Sequence, residues 1–321
     1  MQQKQLKIVC LGGGIGTSNL LKGLKAYDPK FTVVTSMVDD GGSSGRIRKE
    51  YNMMPPGDIV SCIAALIPED QAEMASLLTY RFPGKDRGNK SIGGHKLGNF
   101  IMLAEFLRTK DFYKALEKTK KLFGITADLF PATDIRTHLS ATTQDGRRIH
   151  TEETLDLALY SEPHGLKRIY VRPKNAPVNE TMIKQIMDAD VIISGPGDLY
   201  TNQLPVLVVP KIKEALIASK AKKIFIANVA NKPFETKDFT LQDFITAITE
   251  HLGTFPFNTI ITNSNHGLTI PKKYRYTYLL VNKELREKEH SFTLVEADLV
   301  HEEFPLYHNS KKLAAIVMKQ L

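Results

Sequence analysis

The chain has few cysteines, no long hydrophobic run and no repeated or low-complexity segment. Cys10 and Cys62 are the two cysteines in 321 residues, and both lie in apolar surroundings without the paired spacing of a zinc site. We expect them to be buried free thiols. No apolar run approaches the roughly 18–20 residues of a membrane helix, and a short polar tail leads directly into a strand, without the apolar segment of a secretory signal. These features predict a cytoplasmic protein with no membrane insertion.

Several common catalytic signatures are also missing. No serine lies in a nucleophile-elbow sequence, and no two histidines have the spacing of a zinc-binding pair. The first glycine turn lacks the Gly-Lys-Ser/Thr ending of a P-loop, and its spacing departs from the Gly-x-Gly-x-x-Gly of dinucleotide-binding proteins. The sequence therefore disfavours an ATPase and an NAD-dependent dehydrogenase.

Acidic residues are outnumbered, so that the formal net charge is +8 and the isoelectric point is about 9.2. The basic residues occur in short groups along the whole chain, such as those at 118–121 and 220–223, and most alternate with acids. This distribution is typical of solvated faces and does not favour nucleic acid as a partner. A basic surface also attracts small polyanions such as nucleotide diphosphates.

The most informative segment is an apolar strand that runs into four glycines. It reads Lys7-Ile-Val-Cys-Leu-Gly12-Gly13-Gly14-Ile15-Gly16-Thr17. A turn built from glycine lets backbone N–H groups approach an anion closely, and the positive N-terminal end of the following helix is directed at the same place. Thr17 and Ser18 are candidate caps of that helix. The segment predicts a phosphate-binding turn.

Strand and helix patterns alternate through most of the chain, which predicts a Rossmann-like α/β fold with a mainly parallel sheet and helices on both faces. Two segments depart from this alternation, a helical insertion at about residues 70–125 and a β-hairpin around Gln144-Asp145-Gly146. We assign residues 168–171 to the parallel sheet, and residues 276–281 and 292–295 to a terminal pair of strands. Since no linker-like stretch appears, we expect one domain over residues 1–321.

Four predicted strands end in glycine-rich or polar residues, at 12–16, 39–45, 195–198 and Asn228. The carboxyl ends of parallel strands share one edge of the sheet, where ligands bind. A single glycine turn also serves simple packing. Four such ends on one edge predict a ligand site.

The second of these ends reads Asp39-Asp40-Gly41-Gly42-Ser43-Ser44-Gly45-Arg46. Asp40 is a candidate ligand for a divalent cation such as magnesium bound with a diphosphate, and a role as cap of the glycine turn is an equal alternative. For Asp39 the capping role is favoured. The two serines, the glycine amides and the arginine form a candidate site for a second anion, and the alternative is a helix cap followed by a solvated arginine.

Two residues outside these loops are also candidates. Asp58 directly precedes an apolar helix, so that an N-cap role is favoured over a general base. His95 follows Gly93-Gly94 in a polar turn, where contact with a ligand and local capping are both open.

Six motifs are distributed along nearly the whole chain: Gly12-Gly-Gly-x-Gly16, Asp39-Asp-Gly-Gly-Ser-Ser-Gly-Arg-x-Arg48, Pro55-Pro-Gly-Asp58, Gly94-His-x-Leu-Gly-Asn99, Gly195-Pro-Gly-x-Leu-Tyr-Thr201 and Pro233-x-Glu-Thr236. Together they resemble the bacterial gluconeogenesis-factor family, within the superfamily of 2-phospho-L-lactate transferases. The Asp-Asp-Gly-Gly-Ser-Ser-Gly segment is the most specific part of this resemblance.

The resemblance implies a non-catalytic cytoplasmic protein that binds UDP-activated N-acetylglucosamine. It places the family in carbon metabolism, cell shape and cell-wall precursor supply, with room for a homo-oligomer and for protein partners in cell-wall regulation. The alternative is the transferase branch, which moves a phospholactyl group from a nucleotide diphosphate donor to a deazaflavin acceptor. That branch lacks the Gly-Gly-Ser-Ser-Gly segment, which favours the regulatory branch.

No catalytic residue is assigned, and Asp40 is the candidate metal ligand. The expected contacts of the nucleotide sugar are Gly12, Gly13, Gly14, Gly16, Thr17, Asp40, Gly41, Gly42, Ser43, Ser44, Arg46, His95, Asn99, Gly195, Gly197, Asp198, Tyr200 and Asn228.

The sequence departs from the family pattern at several places. Ile15 stands where Thr is usual, Asp198 where Ser is usual, and residues 228–234 read Asn-Val-Ala-Asn-Lys-Pro-Phe instead of Asn-Leu-Met-Thr-Gln-Pro-Gly. A carboxylate at Asp198 would repel a phosphate unless a cation or an arginine intervenes.

Overall fold

The computed structural model describes residues 5–84, 91–157 and 165–321. Within these ranges the chain forms twelve strands and thirteen α-helices. The strands are β1 (Lys7–Leu11), β2 (Lys30–Thr35), β3 (Asp128–Pro131), β4 (His138–Thr143), β5 (Arg148–His150), β6 (Leu166–Arg172), β7 (Val191–Ser194), β8 (Lys222–Ile226), β9 (Ala230–Asn231), β10 (Thr259–Asn263), β11 (Thr277–Tyr278) and β12 (Thr293–Ala297).

The helices surround the strands in sequence and in space. They are α1 (Gly14–Leu24), α2 (Gly42–Tyr51), α3 (Gly57–Leu66), α4 (Ala72–Thr79), α5 (Leu97–Thr109), α6 (Phe112–Leu122), α7 (Glu152–Asp156), α8 (Glu180–Met187), α9 (Leu204–Leu207), α10 (Pro210–Ala218), α11 (Leu241–Leu252), α12 (Lys283–Glu287) and α13 (Ser310–Met318).

Seven strands form the central sheet, in the order β12-β10-β8-β7-β1-β2-β3, and every neighbouring pair is parallel. Alternate side chains of each strand enter two different cores. Ile8 and Cys10 of β1 pack with α1, α3 and α13, while Val9 and Leu11 pack in the core that holds α8, α10 and α11. The predicted Rossmann-like sheet with helices on both faces is confirmed.

The direction of winding reverses at β1. From β1 the chain goes to β2 and β3 on one side, and it later returns to fill β7, β8, β10 and β12 on the other. Leu11 at the end of β1 is in register with Ser194 at the end of β7. A crevice at such a switch point is where open α/β sheets bind ligands.

A second, three-stranded antiparallel sheet has the order β5-β4-β6. The predicted hairpin is confirmed, since Ala141 of β4 pairs with Ile149 of β5. The placement of residues 168–171 in the parallel sheet is wrong, because β6 pairs antiparallel with β4. From residue 168 to residue 172 exposed residues alternate with more buried ones, which fits a sheet with one solvated face.

The expected terminal pair of strands is also wrong. β11 pairs with the two-residue β9, whereas β12 joins the edge of the central sheet parallel to β10. The segments 72–79, 97–109 and 112–122 are helical, as expected for the insertion between β2 and β3, and residues 85–90 of that segment lie outside the described residues. β3 itself was not anticipated.

Both cysteines are buried free thiols, as expected. The expected caps of α1 are wrong: the helix begins at Gly14, with Gly13 as its N-cap and no side chain bonded there. Along the described part of the chain, no helix is both long and apolar enough to cross a membrane.

Candidate functional site

A cavity of about 220 Å³ with a mixed polar and apolar lining lies at the switch point. The ends of β1, β7 and β8 meet there, so that three of the four predicted strand ends share one site. The residues predicted from the sequence that line it are Gly13, Gly14, Gly16, Gly197, Asp198 and Asn228. Residues 306–308, far along the chain, close another side of the cavity.

The glycine turn after β1 has a backbone that requires glycine. Gly12 and Gly14 have φ of +144° and +65°, which side chains other than glycine rarely adopt. The N–H of Gly12 donates to the Val34 carbonyl at 2.9 Å, which ties the turn to β2. The tie fixes where α1 begins and directs its first turn at the cavity.

The first two amides of this turn already have acceptors within the protein. The N–H of Gly13 donates to Asn202 Oδ1 at 2.9 Å, and the N–H of Gly14 donates to the Asp58 carboxylate. The following amides, of Ile15 and Gly16, lie in the first turn of α1, where a helix leaves its N–H groups without intrahelical partners. These are the amides available to an anion in the cavity.

Asp58 does not cap a helix. α3 begins at Gly57 with Pro56 as its N-cap and no side-chain cap bond, so the expected N-cap role is wrong. The carboxylate instead accepts a hydrogen bond from Asn202 Nδ2 at 3.2 Å. Burial, and to a lesser degree the nearby charge of Asp39, raise the pKa of Asp58 to about 7, against the opposing effects of Lys96, Gly14 and Asn202. Asp58 is half-buried and packs against Gly13 just outside the lining of the cavity. A carboxyl in this position that titrates near neutral pH is a candidate proton acceptor.

The loop after β7 packs tightly against the glycine turn. A methyl group on Gly16 would overlap the Pro196 carbonyl, and one on Gly195 would meet the Ile226 carbonyl. The N–H of Gly197 donates to Asn228 Oδ1 at 3.1 Å, which joins the ends of β7 and β8. Glycine at these positions therefore brings two strand ends into contact.

Two predicted contacts lie away from the cavity. Thr17 is fully buried, and its hydroxyl has no hydrogen-bond partner among the described residues. The Tyr200 ring lies in the core, with ring centroids 6.3 Å from Phe239 and 6.0 Å from His251. Burial raises the pKa of the Tyr200 hydroxyl.

The two aspartates after β2 accept hydrogen bonds from different parts of the chain. Asp39 Oδ1 accepts from the Gly41 N–H at 3.1 Å, so Asp39 caps the glycine turn as favoured. Asp40 does not cap this turn, because its Oδ1 accepts from the Glu153 N–H at 2.8 Å at the start of α7. Glu152, the first residue of α7, lies near both aspartates. Its burial, and then the charges of Asp39 and Asp156, raise the pKa of its carboxyl to about 10.

Of the two alternatives for Asp40, the cap of the glycine turn is wrong, and the role of metal ligand stays a prediction. Over residues 5–84, 91–157 and 165–321, no group of three or more histidine, cysteine, aspartate or glutamate side chains is placed to share a metal ion. Among those residues a magnesium ion would therefore find at most two such side chains together, and phosphate oxygens and water would complete its coordination.

The serine and arginine of the second loop contact protein groups. Ser43 Oγ lies 2.9 Å from His95 Nδ1 and accepts from Asn99 Nδ2 at 2.8 Å. Arg46 donates to the carbonyls of Ser91 at 3.0 Å and Gly93 at 2.8 Å. Ser44 hydrogen-bonds the Asp39 carboxylate. The loop is thereby fixed to the turn before α5.

The charge of Asp198 is balanced by a lysine. Asp198 Oδ2 lies 2.8 Å from Lys232 Nζ, which also contacts Asp156 and, at 3.5 Å, Glu235. A cation thus intervenes beside the extra carboxylate, as the sequence required for a phosphate site. Lys232 stays charged, because the three carboxylates raise its pKa against the effect of burial.

Several site residues were not anticipated from the sequence. Asn202 follows the Gly195-to-Thr201 motif by one position, and a search for amides one helical turn beyond a glycine loop would have found it. Lys232 lies four residues after Asn228, in the segment where the sequence departs from the family pattern. No local signal marks Tyr276, Tyr307 and His308, which reach the cavity from the C-terminal part of the chain.

The fold and the cavity define a Rossmann-like α/β protein with a cavity at its topological switch point. A family model described as 2-phospho-L-lactate transferase CofD matches residues 8–311. The crystal structure of a UPF0052-family protein from Bacillus halodurans superimposes with a TM-score of 0.87 and 30% identity, covering 98% of this chain and 99% of that one.

Two relatives are named gluconeogenesis factor. The protein of Bacillus subtilis strain 168 is 38% identical over 273 residues, which are 85% of this chain and 82% of the relative. That of Halalkalibacterium halodurans is 31% identical over 98% of this chain and 97% of its own length. The chain belongs to the gluconeogenesis-factor family, within the CofD-like superfamily.

Proposed function

We propose that this protein binds a nucleotide-diphosphate sugar of the UDP-N-acetylglucosamine type in the switch-point cavity, without catalysing a reaction. The observation that carries the proposal is the meeting of the α1 N-terminus with the ends of β7 and β8 around one cavity of mixed polar and apolar lining. The amides of Ile15 and Gly16 would receive the diphosphate, helped by the positive end of the α1 dipole. Gly197 and Asn228 form the facing wall.

Family membership supports the wider role. From it we infer a cytoplasmic regulatory protein that links carbon metabolism to cell shape and cell-wall precursor supply, through protein partners or a homo-oligomer. A magnesium ion that accompanies the diphosphate would be held mainly by phosphate oxygens and water, as is common for this cation.

Isothermal titration with UDP-N-acetylglucosamine in the presence of magnesium tests the proposal. We expect saturable binding at one site, weaker binding of UDP, and weaker still of inorganic pyrophosphate, because each probe in turn fills less of the cavity. No heat of binding at millimolar UDP-N-acetylglucosamine would refute it.

A phospholactyl-type transferase is the second candidate, and Asp58 is the observation that favours it. A carboxyl with a pKa of about 7 could accept the proton of an attacking alcohol. That activity predicts turnover of a nucleotide diphosphate donor when a deazaflavin acceptor is supplied, with loss of turnover in Asp58→Asn. No turnover, with clear binding of the UDP sugar, would exclude it.

A further inference from the structure

The wall of the cavity opposite the glycine turn carries a charged pair. Asp198 lines the cavity with 36% of its side chain exposed, while Lys232 behind it is only 12% exposed. Lys232 Nζ bonds Asp198 Oδ2, and within the described part of the chain Oδ1 has no hydrogen bond. The carboxylate therefore presents one oxygen that is free to accept.

A bare carboxylate would oppose the function proposed for the cavity. It repels a diphosphate, and this repulsion is strong where protein excludes water. The ion pair between Lys232 and Asp198 Oδ2 reduces that repulsion, and it leaves Asp198 Oδ1 able to accept a hydrogen bond. Tyr276 shares this wall, and its hydroxyl stays protonated because burial and then Asp198 raise its pKa to about 12.

The chemistry of the free oxygen limits what it can recognise. An ionised carboxylate only accepts hydrogen bonds, and an ionised phosphate has none to donate. The partner must therefore be a donor group elsewhere on the ligand. Adjacent hydroxyls of a sugar are well suited, since a carboxylate accepts from two donors at once and binds a ribose diol in this way in dinucleotide sites.

We propose that Asp198 determines specificity by accepting hydrogen bonds from sugar hydroxyls of the bound ligand, and that Lys232 is a positioning residue that neutralises it toward the diphosphate. The cavity would then distinguish a nucleotide sugar from a simple diphosphate. This inference rests on the proposed function, because it assumes that phosphate occupies the glycine-turn side.

Titration calorimetry with inorganic pyrophosphate, UDP and UDP-N-acetylglucosamine separates the two roles. Asp198→Ala should weaken binding of UDP-N-acetylglucosamine by about 10- to 100-fold, the range for hydrogen bonds to a charged group. The same variant should bind pyrophosphate as well as the unaltered protein or up to about threefold more tightly, since a negative charge has been removed. An equal loss for both probes, or no change for either, would overturn the assignment.

Lys232→Met should weaken the binding of all three probes by at least about fivefold, because Asp198 and Asp156 are left unbalanced. Lys232→Arg keeps the charge and is the matched control, expected to bind within about threefold of the unaltered protein. Thermal unfolding of each variant verifies that it is folded. Unchanged pyrophosphate affinity in folded Lys232→Met would refute the role given to Lys232.

The outcome for the unaltered protein distinguishes the two proposals. If it binds pyrophosphate and GDP or ADP but not UDP-N-acetylglucosamine, the proposed nucleotide sugar is wrong. The role of Asp198 is then tested by comparing Asp198→Ala with the unaltered protein on the nucleoside diphosphate that binds, because its ribose carries the hydroxyls. If it binds none of these probes, both proposals fail.

Discussion

The loops after β1 and β2 look alike in sequence, and their polar groups have different partners. After β1 the residues are small, so that the backbone itself borders the cavity at Gly13, Gly14 and Gly16. After β2 the polar side chains bond to the protein: Ser43 to His95 and Asn99, and Arg46 to backbone carbonyls. The backbone of the first loop borders the cavity, whereas side chains of the second loop are held by other parts of the protein.

This difference between the two loops indicates which kind of glycine-rich sequence forms the wall of a cavity. A turn of glycines has no side chains of its own, so its backbone can border a cavity. Buried polar side chains are nearly always paired, and those of the second loop find their partners in the elements packed against it. The specific motif identified the family, and the plainer turn formed the cavity.

The largest effect is expected from Gly16→Ala. The added methyl would overlap the Pro196 carbonyl and force the α1 N-terminus away from the loop after β7. We expect a loss of about 2–3 kcal/mol in the free energy of unfolding, typical of overpacking, and no measurable binding of UDP-N-acetylglucosamine. Denaturant unfolding and titration calorimetry measure the two effects.

Gly45→Ala is the matched control in the second loop. Its methyl would overlap the Asp40 carbonyl, so the loss of stability should be similar. Gly45 does not line the cavity, and we expect the folded variant to bind the ligand within about fivefold of the unaltered protein. Equal losses of affinity in the two variants would erase the distinction between the loops.

The next effect is a pH dependence of stability that originates at Asp58 beside the first loop. Burial raises the pKa of this carboxyl from 3.8 to about 7, so the folded state holds a proton that the unfolded state releases. The stability that this protonated carboxyl contributes is therefore fully present below pH 3.8 and is lost as the pH rises through 7. Between pH 5 and pH 8 this carboxyl should cost about 2–3 kcal/mol, at about 1.4 kcal/mol per pH unit.

Asp58→Asn isolates this contribution from other titrating groups. The difference in unfolding free energy between the variant and the unaltered protein should change by about 2–3 kcal/mol from pH 5 to pH 8, in favour of the variant at high pH. A difference that does not depend on pH would show that Asp58 is ionised across this range, and that the first loop carries a fixed negative charge.

Much of the fold could be predicted from the sequence, because parallel strands buried on both faces read as apolar β-branched runs. β7 and β10 are of this kind and are fully buried. β6 was misassigned because its apolar residues do not tell which sheet it joins, and pairing with β4 depends on contacts between distant residues. β3, four residues long, carried too little pattern to be found.

The site was predictable only in part, for the same physical reason. Strand ends could be placed on one edge by topology, and glycine marked the turns. The roles of side chains depend on which atoms lie within about 3 Å, and local sequence does not fix this for Asp58 and Asn202, which are 144 positions apart. The residues next to Asp58 in the sequence are typical of a helix N-cap, which is why that role was predicted. Its hydrogen-bond partners, Gly14 and Asn202, belong to other elements.

The smallest effect is expected from Ser43→Ala, which tests whether the second loop contacts the ligand. Ser43→Ala removes the hydroxyl that accepts from Asn99 Nδ2, and the buried amide loses this partner. We expect a loss of about 1–3 kcal/mol in unfolding free energy, with ligand affinity unchanged within about threefold. Ser76→Ala, at an exposed position on α4, is the control and should change stability by less than about 0.5 kcal/mol. If Ser43→Ala instead keeps its stability and loses more than about tenfold in affinity, the Ser43 hydroxyl contacts the ligand, and the second loop contributes to the binding site.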